Sequence, residues 1–487
     1  MTAFGIDFGT TNSAAVELHD ATFREYGYGE RPLPSIVKID IATGKAEAGP
    51  GVRERQLELE QDGRFHVIRS IKTILDSERH WRTERGRWTP AMVTGEILRT
   101  LSNQVRQFGL EDGIRSATFS VPVGVRPAAT RVLREAAALA GICVNSIVKE
   151  STAALFRHLE RVRDSNYVVV FDWGGGTLDV TVLEIRGHTI YERYVDGLPR
   201  AGDQIDEDLA RRVHSHFSDT GIGFDDLLGI DRDRLLVACE RAKRELATRP
   251  ETDIWVQYAG VSQVSKISRE FCRPAIEPYV RDAIQVLAKS ISRSGLSIDA
   301  IDEIIVIGGS SRLWLLREMM EEHFGAIALF PEKPEWDVAR GAAIVDQRPG
   351  SYSLAETIGL QLSDGSYFEL ARPGDAPANR ASYVNLALVE DVRAADVVID
   401  RWDRDSESRR ELAAQFTIPT LGFDQEAVDL SCRITEDLTL SIEGRSPAHG
   451  NGSITKREIT RLRFGYRIDT PVEEQLEAPI QPLPKRR

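Results

Sequence analysis

The 487-residue sequence predicts an α/β fold of two lobes around a cleft, followed by a separate antiparallel β-domain. Three observations predict it. Ile6-Asp7-Phe8-Gly9-Thr10-Thr11-Asn12-Ser13 and Phe171-Asp172-Trp173-Gly174-Gly175-Gly176-Thr177-Leu178-Asp179 share one pattern: apolar strand, carboxylate, Gly/Thr turn, strand again. Around each of them, strand and helix signals alternate as far as Val345. After Gly350 helical periodicity ends, and period-two alternation such as Val428, Leu430, Cys432, Ile434 replaces it.

The two Gly/Thr turns carry the chemistry. A tight turn exposes backbone N–H groups, and glycine lets the backbone approach a phosphate closely. A carboxylate at the mouth of such a turn repels phosphate directly. It can hold one through Mg²⁺ and its waters, because Mg²⁺ uses few carboxylates and keeps much of its hydration shell. Two such turns on separate lobes, facing one metal nucleotide, describe an ATP clamp.

Composition sets the class. An apolar content of 41% suits a globular chain with sizeable cores, and the length allows two to four domains. The net charge of −13 argues against nucleic acid or an anionic membrane as the main partner. No apolar run approaches a membrane span, and the N-terminus enters a strand without a basic or apolar leader, so a cytoplasmic protein is expected. Cys143, Cys239, Cys272 and Cys432 have no metal-like spacing and are expected as core thiols.

Taken in order, residues 3–18 give strand, turn, strand. Arg31 to Val37 leads into another strand, and residues 52–60 read as a short charged helix. Lys72 sits in the apolar stretch Ile68 to Leu75. Thr89-Pro90 starts a helix reaching about Phe108, with Pro at the first helical position. A strand from Ala117 to Val121, a helix from Pro127 to Gly141, a helix after Lys149 and a strand from Tyr167 follow. The second lobe offers strands at 180–186 and 189–196, helices at 206–216, 231–248 and 274–295, and a buried strand at 304–307. Gly341-Ala342-Ala343 suits close helix packing. The expected divisions are 1–345, a linker 346–355, a β-domain 356–468 and a disordered tail 469–487. The tryptophans at 81, 88, 314, 336 and 402 are expected in packing.

At these motifs the chain resembles the Hsp70 (DnaK) chaperone family of the actin/sugar-kinase ATPase superfamily. The two Gly/Thr motifs are similar to its phosphate motifs. Ile305-Val306-Ile307-Gly308-Gly309-Ser310-Ser311-Arg312 is similar to its adenosine motif, and Cys239-Glu240-Arg241-Ala242-Lys243-Arg244 to its ribose and adenine helix. Each motif alone would be an ordinary turn or a solvated helix face; all four in this order are specific. The resemblance implies two actin-like, ribonuclease H-like lobes, a β-sandwich like the family's substrate-binding domain, and hydrolysis of ATP to ADP and phosphate. It implies ATP/ADP, Mg²⁺ and K⁺ as cofactors. Gly9, Thr10, Thr11, Asn12, Gly174, Gly175, Gly176 and Thr177 would contact phosphates, with Gly202, Gly308, Gly309 and Ser310 beside them. Asp7 and Asp172 would hold Mg²⁺ through water, and Asp179 and Thr177 would lie near K⁺ and the γ-phosphate. Lys72 matches the catalytic lysine, and Glu150 the glutamate that holds water. Glu240 and Lys243 would bind ribose, Arg244 and Arg312 would sandwich adenine, and Glu335 stands where the family usually has Asp.

The chain also departs from the family. The stretches from Lys72 to Thr89 and from Thr248 to Ser268 are short, and the latter argues against the usual exchange factor. Pro122 matches the family's linking proline, but Ser151 follows Glu150 where the family has proline, and Trp173 replaces an aliphatic residue. Ser146 stands where an arginine often contacts a J-domain co-chaperone, which argues against a standard one. The acidic linker is not recognisable, and no helical lid follows the β-domain. The expected partner is an unfolded or client polypeptide, bound by a monomer, with Leu360, Leu362, Tyr367 and Phe368 as candidate groove residues. The alternatives are an ATP-dependent switch for one fixed partner, and a filament former or sugar kinase, which the ribose helix and the added β-domain disfavour.

Overall fold

The computed structural model describes residues 2–217, 221–258, 261–377, 381–402, 410–452, 454–460 and 462–467. The expected tail lies outside them. Two compact units emerge: residues 1–184 with 193–347, and residues 185–192 with 348–487.

The first unit has two halves, each with its own sheet and core. In the first half, the strands Cys143–Lys149, Ser116–Val121, Ala3–Phe8, Asn12–His19 and Thr22–Tyr26 lie side by side in that order. Ala3–Phe8 pairs parallel with Ser116–Val121 and antiparallel with Asn12–His19. In the second half the order is Ala328–Leu329, Glu303–Ile307, Tyr167–Trp173, Leu178–Arg186, Thr189–Leu198. Glu303–Ile307 is buried at every position, as expected of a central parallel strand covered on both faces. Phe8, Ile97, Leu98 and Phe119 belong to the first core, and Phe171, Trp173, Ile304 and Trp314 to the second. This mixed α/β arrangement is consistent with the two-lobed fold expected from the motifs.

Local chemistry sets the helices. Thr89 caps Pro90–Gln107 by accepting from the Met92 N–H at 3.3 Å, with Pro90 at the first position. The helix expected from Pro274 begins earlier, at Arg269, because Ser268 Oγ accepts from the Phe271 N–H at 3.1 Å; Pro274 and Pro278 lie inside it. The charged helix expected over 52–60 is two pieces, Pro50–Arg53 and Gln56–Asp62, separated where Arg55 leaves the helical region (φ −127°, ψ 25°). Gly341 does permit close packing: a Cβ there would lie 1.7 Å from the Ala153 carbonyl oxygen. Cys239, Cys272 and Cys432 are buried, but Cys143 is exposed, so it is not a core thiol.

The second unit has two four-stranded sheets. One orders Tyr367–Ala371, Thr357–Gln361, Ala394–Trp402 and Glu411–Pro419; the other orders Ser382–Ala387, Ala427–Ile434, Leu440–Arg445 and Thr455–Ile459. Ile358, Val397 and Ile399 of the first share a core with Leu430, Cys432 and Ile442 of the second. Ser351–Leu354, inside the expected linker, is a strand paired with Phe464–Arg467. Leu354 is buried and the Tyr352 ring sits edge-on to Tyr466 at 4.9 Å, which explains the pairing. Of the candidate groove residues, Leu360 is in the core and Leu362 packs against it. Tyr367 donates to Asp400 at 2.6 Å, while Phe368 is 42% exposed. No helix among the described residues is long and apolar enough to cross a membrane.

Candidate functional site

Strand register builds an acidic end. Asp7 lies level with Ser120 on the neighbouring strand, and Ser120 Oγ donates to Asp7 Oδ1 at 2.8 Å. Asp172 lies opposite Asp179 across the hairpin of the second half. Thr177 Oγ1 donates to Asp179 at 3.0 Å. Lys72, on the 3₁₀ turn Ile71–Ile74, reaches Glu150 at the start of Glu150–Arg157, with Nζ 2.5 Å from Oε1.

The two Gly/Thr turns meet. A Cβ on Gly175 would lie 2.8 Å from Thr11 Cβ, so only a bare backbone fits between the halves there. The second turn is held from behind: Gly174 O accepts from Ser310 Oγ at 2.6 Å and from the Gly202 N–H at 3.3 Å. Gly308 carries φ +83°, and a Cβ on it would sit 2.5 Å from the Trp173 carbonyl oxygen. Trp173 itself is buried in the second core, edge-on to Phe171.

The other end is built on the helix Gly229–Glu245. Spacing of three and four places Glu240, Lys243 and Arg244 on one face. Arg244 donates to Glu240 at 2.9 Å. Arg312 forks onto Glu335 with two contacts of 2.9 Å, so Glu335 fixes its guanidinium plane. Lys243 pairs with Asp206 at 2.7 Å and donates to Gly202 O at 3.2 Å.

Every residue assigned above to catalysis, nucleotide or metal lines one cavity of about 410 Å³. Sequence reasoning missed several that line it too: Arg31, Arg53, Asp203 and Asp206. Asp203 accepts from Arg53 and from Thr11 Oγ1, both at 3.1 Å, joining the two halves. The i, i+3 spacing of Asp203 and Asp206 directly after Gly202 was the available signal.

Electrostatics divide the cavity. At the acidic end burial pushes Glu150 up to about 7, with Lys72 opposing and Asp7 adding to the rise. Burial raises Asp172 well above the carboxylate range, helped by Glu150, Asp7 and Asp179. Burial works against the Lys72 ammonium, but Glu150 and Asp7 outweigh it and keep its proton on. One ammonium facing Asp7, Glu150, Asp172 and Asp179 leaves this end short of positive charge, which suits a bound cation. Among the described residues no three His, Cys, Asp or Glu side chains group as direct metal ligands. At the other end burial raises Asp206 to about 7 against the pull of Lys243. Burial disfavours the Glu240 carboxylate, but Arg244 and Lys243 bring it below its ordinary value.

Comparison with known proteins gives the family. A family model described as "Hsp70 protein" matches residues 61–347. The chaperone protein DnaK of Thermotoga petrophila is 31% identical over 355 residues, covering 70% of this chain. The DnaK proteins of Thermotoga maritima and Thermotoga neapolitana match at 31% and 30% over the same length. The match spans 58% of each relative's own length. This chain belongs to the Hsp70 family.

Proposed function

We propose that the chain is an Hsp70-type ATPase whose nucleotide state controls binding of an unfolded segment or a dedicated client. The reading rests above all on two Gly/Thr turns brought into contact beside the Lys72–Glu150 pair in one cavity. In it, Gly9, Thr10, Thr11 and Asn12 bind phosphate from one half, and Gly174, Gly175, Gly176 and Thr177 from the other. Glu240 meets the ribose, Arg244 and Arg312 flank the adenine, and Gly308, Gly309 and Ser310 line the space between. Asp7 and Asp172 would hold Mg²⁺ through its waters, and K⁺ would lie near Asp179 and Thr177. When bound, Mg²⁺ neutralises phosphate charge and orients the triphosphate. Lys72 places a fixed positive charge where negative charge develops. Glu150 orients the attacking water, and a carboxyl pushed up to about 7 is matched to accept its proton near neutral pH. Single-turnover hydrolysis of ATP by the full chain tests this. Phosphate release is expected; bound ATP that is never cleaved would remove hydrolysis from the account.

A specific observation favours the narrower alternative, a switch for one fixed partner. Leu360 and Leu362 serve the core of the second unit, so of the four candidate groove residues only Phe368 is exposed. Ser146 Oγ is also engaged, 3.0 Å from Thr118 Oγ1, and offers no charge to a J-domain partner. Peptide-stimulated turnover supports the general chaperone; stimulation by a single protein supports the switch.

A further inference from the structure

We propose that Ser151 is a positioning residue that holds one ordered water behind the carboxylates of Glu150, Asp172 and Asp179. The proposal rests on the hydrolytic reading above and adds a residue to it. These three residues line a side chamber of about 10 Å³. The hydroxyl-bearing Ser151 and Thr181 also line it, with Val170 and Val195. The space matches a single water, which requires two to four polar partners.

Ser151 supplies the second observation. It is 4% exposed, and its Oγ is buried with no hydrogen-bond partner among the described residues. A buried hydroxyl is costly to leave unpaired. Thr181, at 3% exposure, adds a second hydroxyl to the same chamber. A water there accepts from Ser151 and directs its two hydrogens at carboxylate oxygens. That arrangement satisfies the serine, reduces repulsion among the acids, and fixes the Glu150 carboxylate against Lys72.

The backbone makes the test clean. Ser151 is the second residue of Glu150–Arg157, where the N–H has no partner inside the helix. Proline is therefore compatible there, and its ring would occupy the chamber. Ser151→Ala removes the hydroxyl, Ser151→Pro removes it and fills the space, and Ser151→Thr keeps it. A high-resolution crystal structure of the full chain is expected to show one water peak within reach of the Ser151 hydroxyl. The peak should persist in Ser151→Thr and vanish in Ser151→Pro. At saturating ATP, Ser151→Ala and Ser151→Pro should cleave about three- to tenfold more slowly with ATP affinity unchanged, and Ser151→Thr should recover the rate. No water peak in the unmodified chain overturns the proposal, and so does wild-type cleavage by Ser151→Ala. A peak in a chain that hydrolyses no ATP supports the water site and removes the hydrolytic reading instead.

Discussion

Replacing Lys72 with alanine perturbs the acidic end most directly. Its Nζ lies 2.5 Å from Glu150 Oε1, and the two side chains are 13% and 14% exposed. Asp7, Asp172 and Asp179 line the same cavity, so the substitution removes positive charge from a wall of carboxylates. Breaking a buried pair by removing one partner costs about 3–5 kcal/mol when the remaining charge has no escape. Glu150 has one: burial already pushes it up to about 7, so it can take a proton at modest cost. The fold should therefore lose less stability than that range, and ATP should still bind, since the proposed reading holds it mainly through backbone N–H groups and the arginines. The transition state has no such escape. Loss of one preorganised electrostatic contact costs about 3–4 kcal/mol, on the order of 10²–10³ in rate. The assay is single-turnover phosphate release at saturating ATP, alongside the equilibrium affinity. A fall of about 10²–10³ in rate with affinity within about threefold is expected. Turnover close to that of the unmodified chain would take Lys72 out of the mechanism.

Arg312→Ala should weaken ATP about tenfold while leaving inorganic triphosphate unaffected, since a desolvated guanidinium stacked on a ring contributes about 1–2 kcal/mol. Equal losses for both ligands in a competition titration would show that Arg312 does not contact the base. Asp206 has a folded-state value near 7, above its ordinary 3.8, so its contribution to stability is fully present below about pH 4 and is lost as the pH rises through 7. Melting temperature should fall between pH 5 and 8 by about a few degrees, and Asp206→Asn should flatten that slope; an unchanged slope refutes the assignment. Gly308→Ala places a Cβ 2.5 Å from the Trp173 oxygen at φ +83° and should lower the melting temperature by about 5–10 °C. Calorimetry showing no loss would mean the turn relaxes freely.

The Gly/Thr hairpins were legible because their grammar is local. A carboxylate at the end of an apolar strand followed by Gly and Thr fixes both the turn and the position of Asp7 or Asp172. Lys72 and Glu150 were legible only through the resemblance, since nothing in 68–75 alone distinguishes a buried lysine from a solvated one. Asp203 and Arg53 were not found, because their 3.1 Å contact joins residues 150 positions apart. The strand Ser351–Leu354 was missed for the same reason: Tyr352 and Leu354 alternate over four residues, and the pairing partner lies at Phe464–Arg467. Tyr367 and Phe368 had to point to opposite faces, and they do: one packs edge-on to Trp402 at 5.3 Å and the other is 42% exposed.

The central claim is that the cavity between the two halves of the first unit takes a magnesium nucleotide. Calorimetric titration of the full chain with ADP and Mg²⁺ tests it most directly. The account predicts one site per chain, weakened by Arg312→Ala and lost when a bulky residue replaces Gly175, where the turns touch. Absence of binding, or binding that survives the Gly175 substitution unchanged, would contradict it.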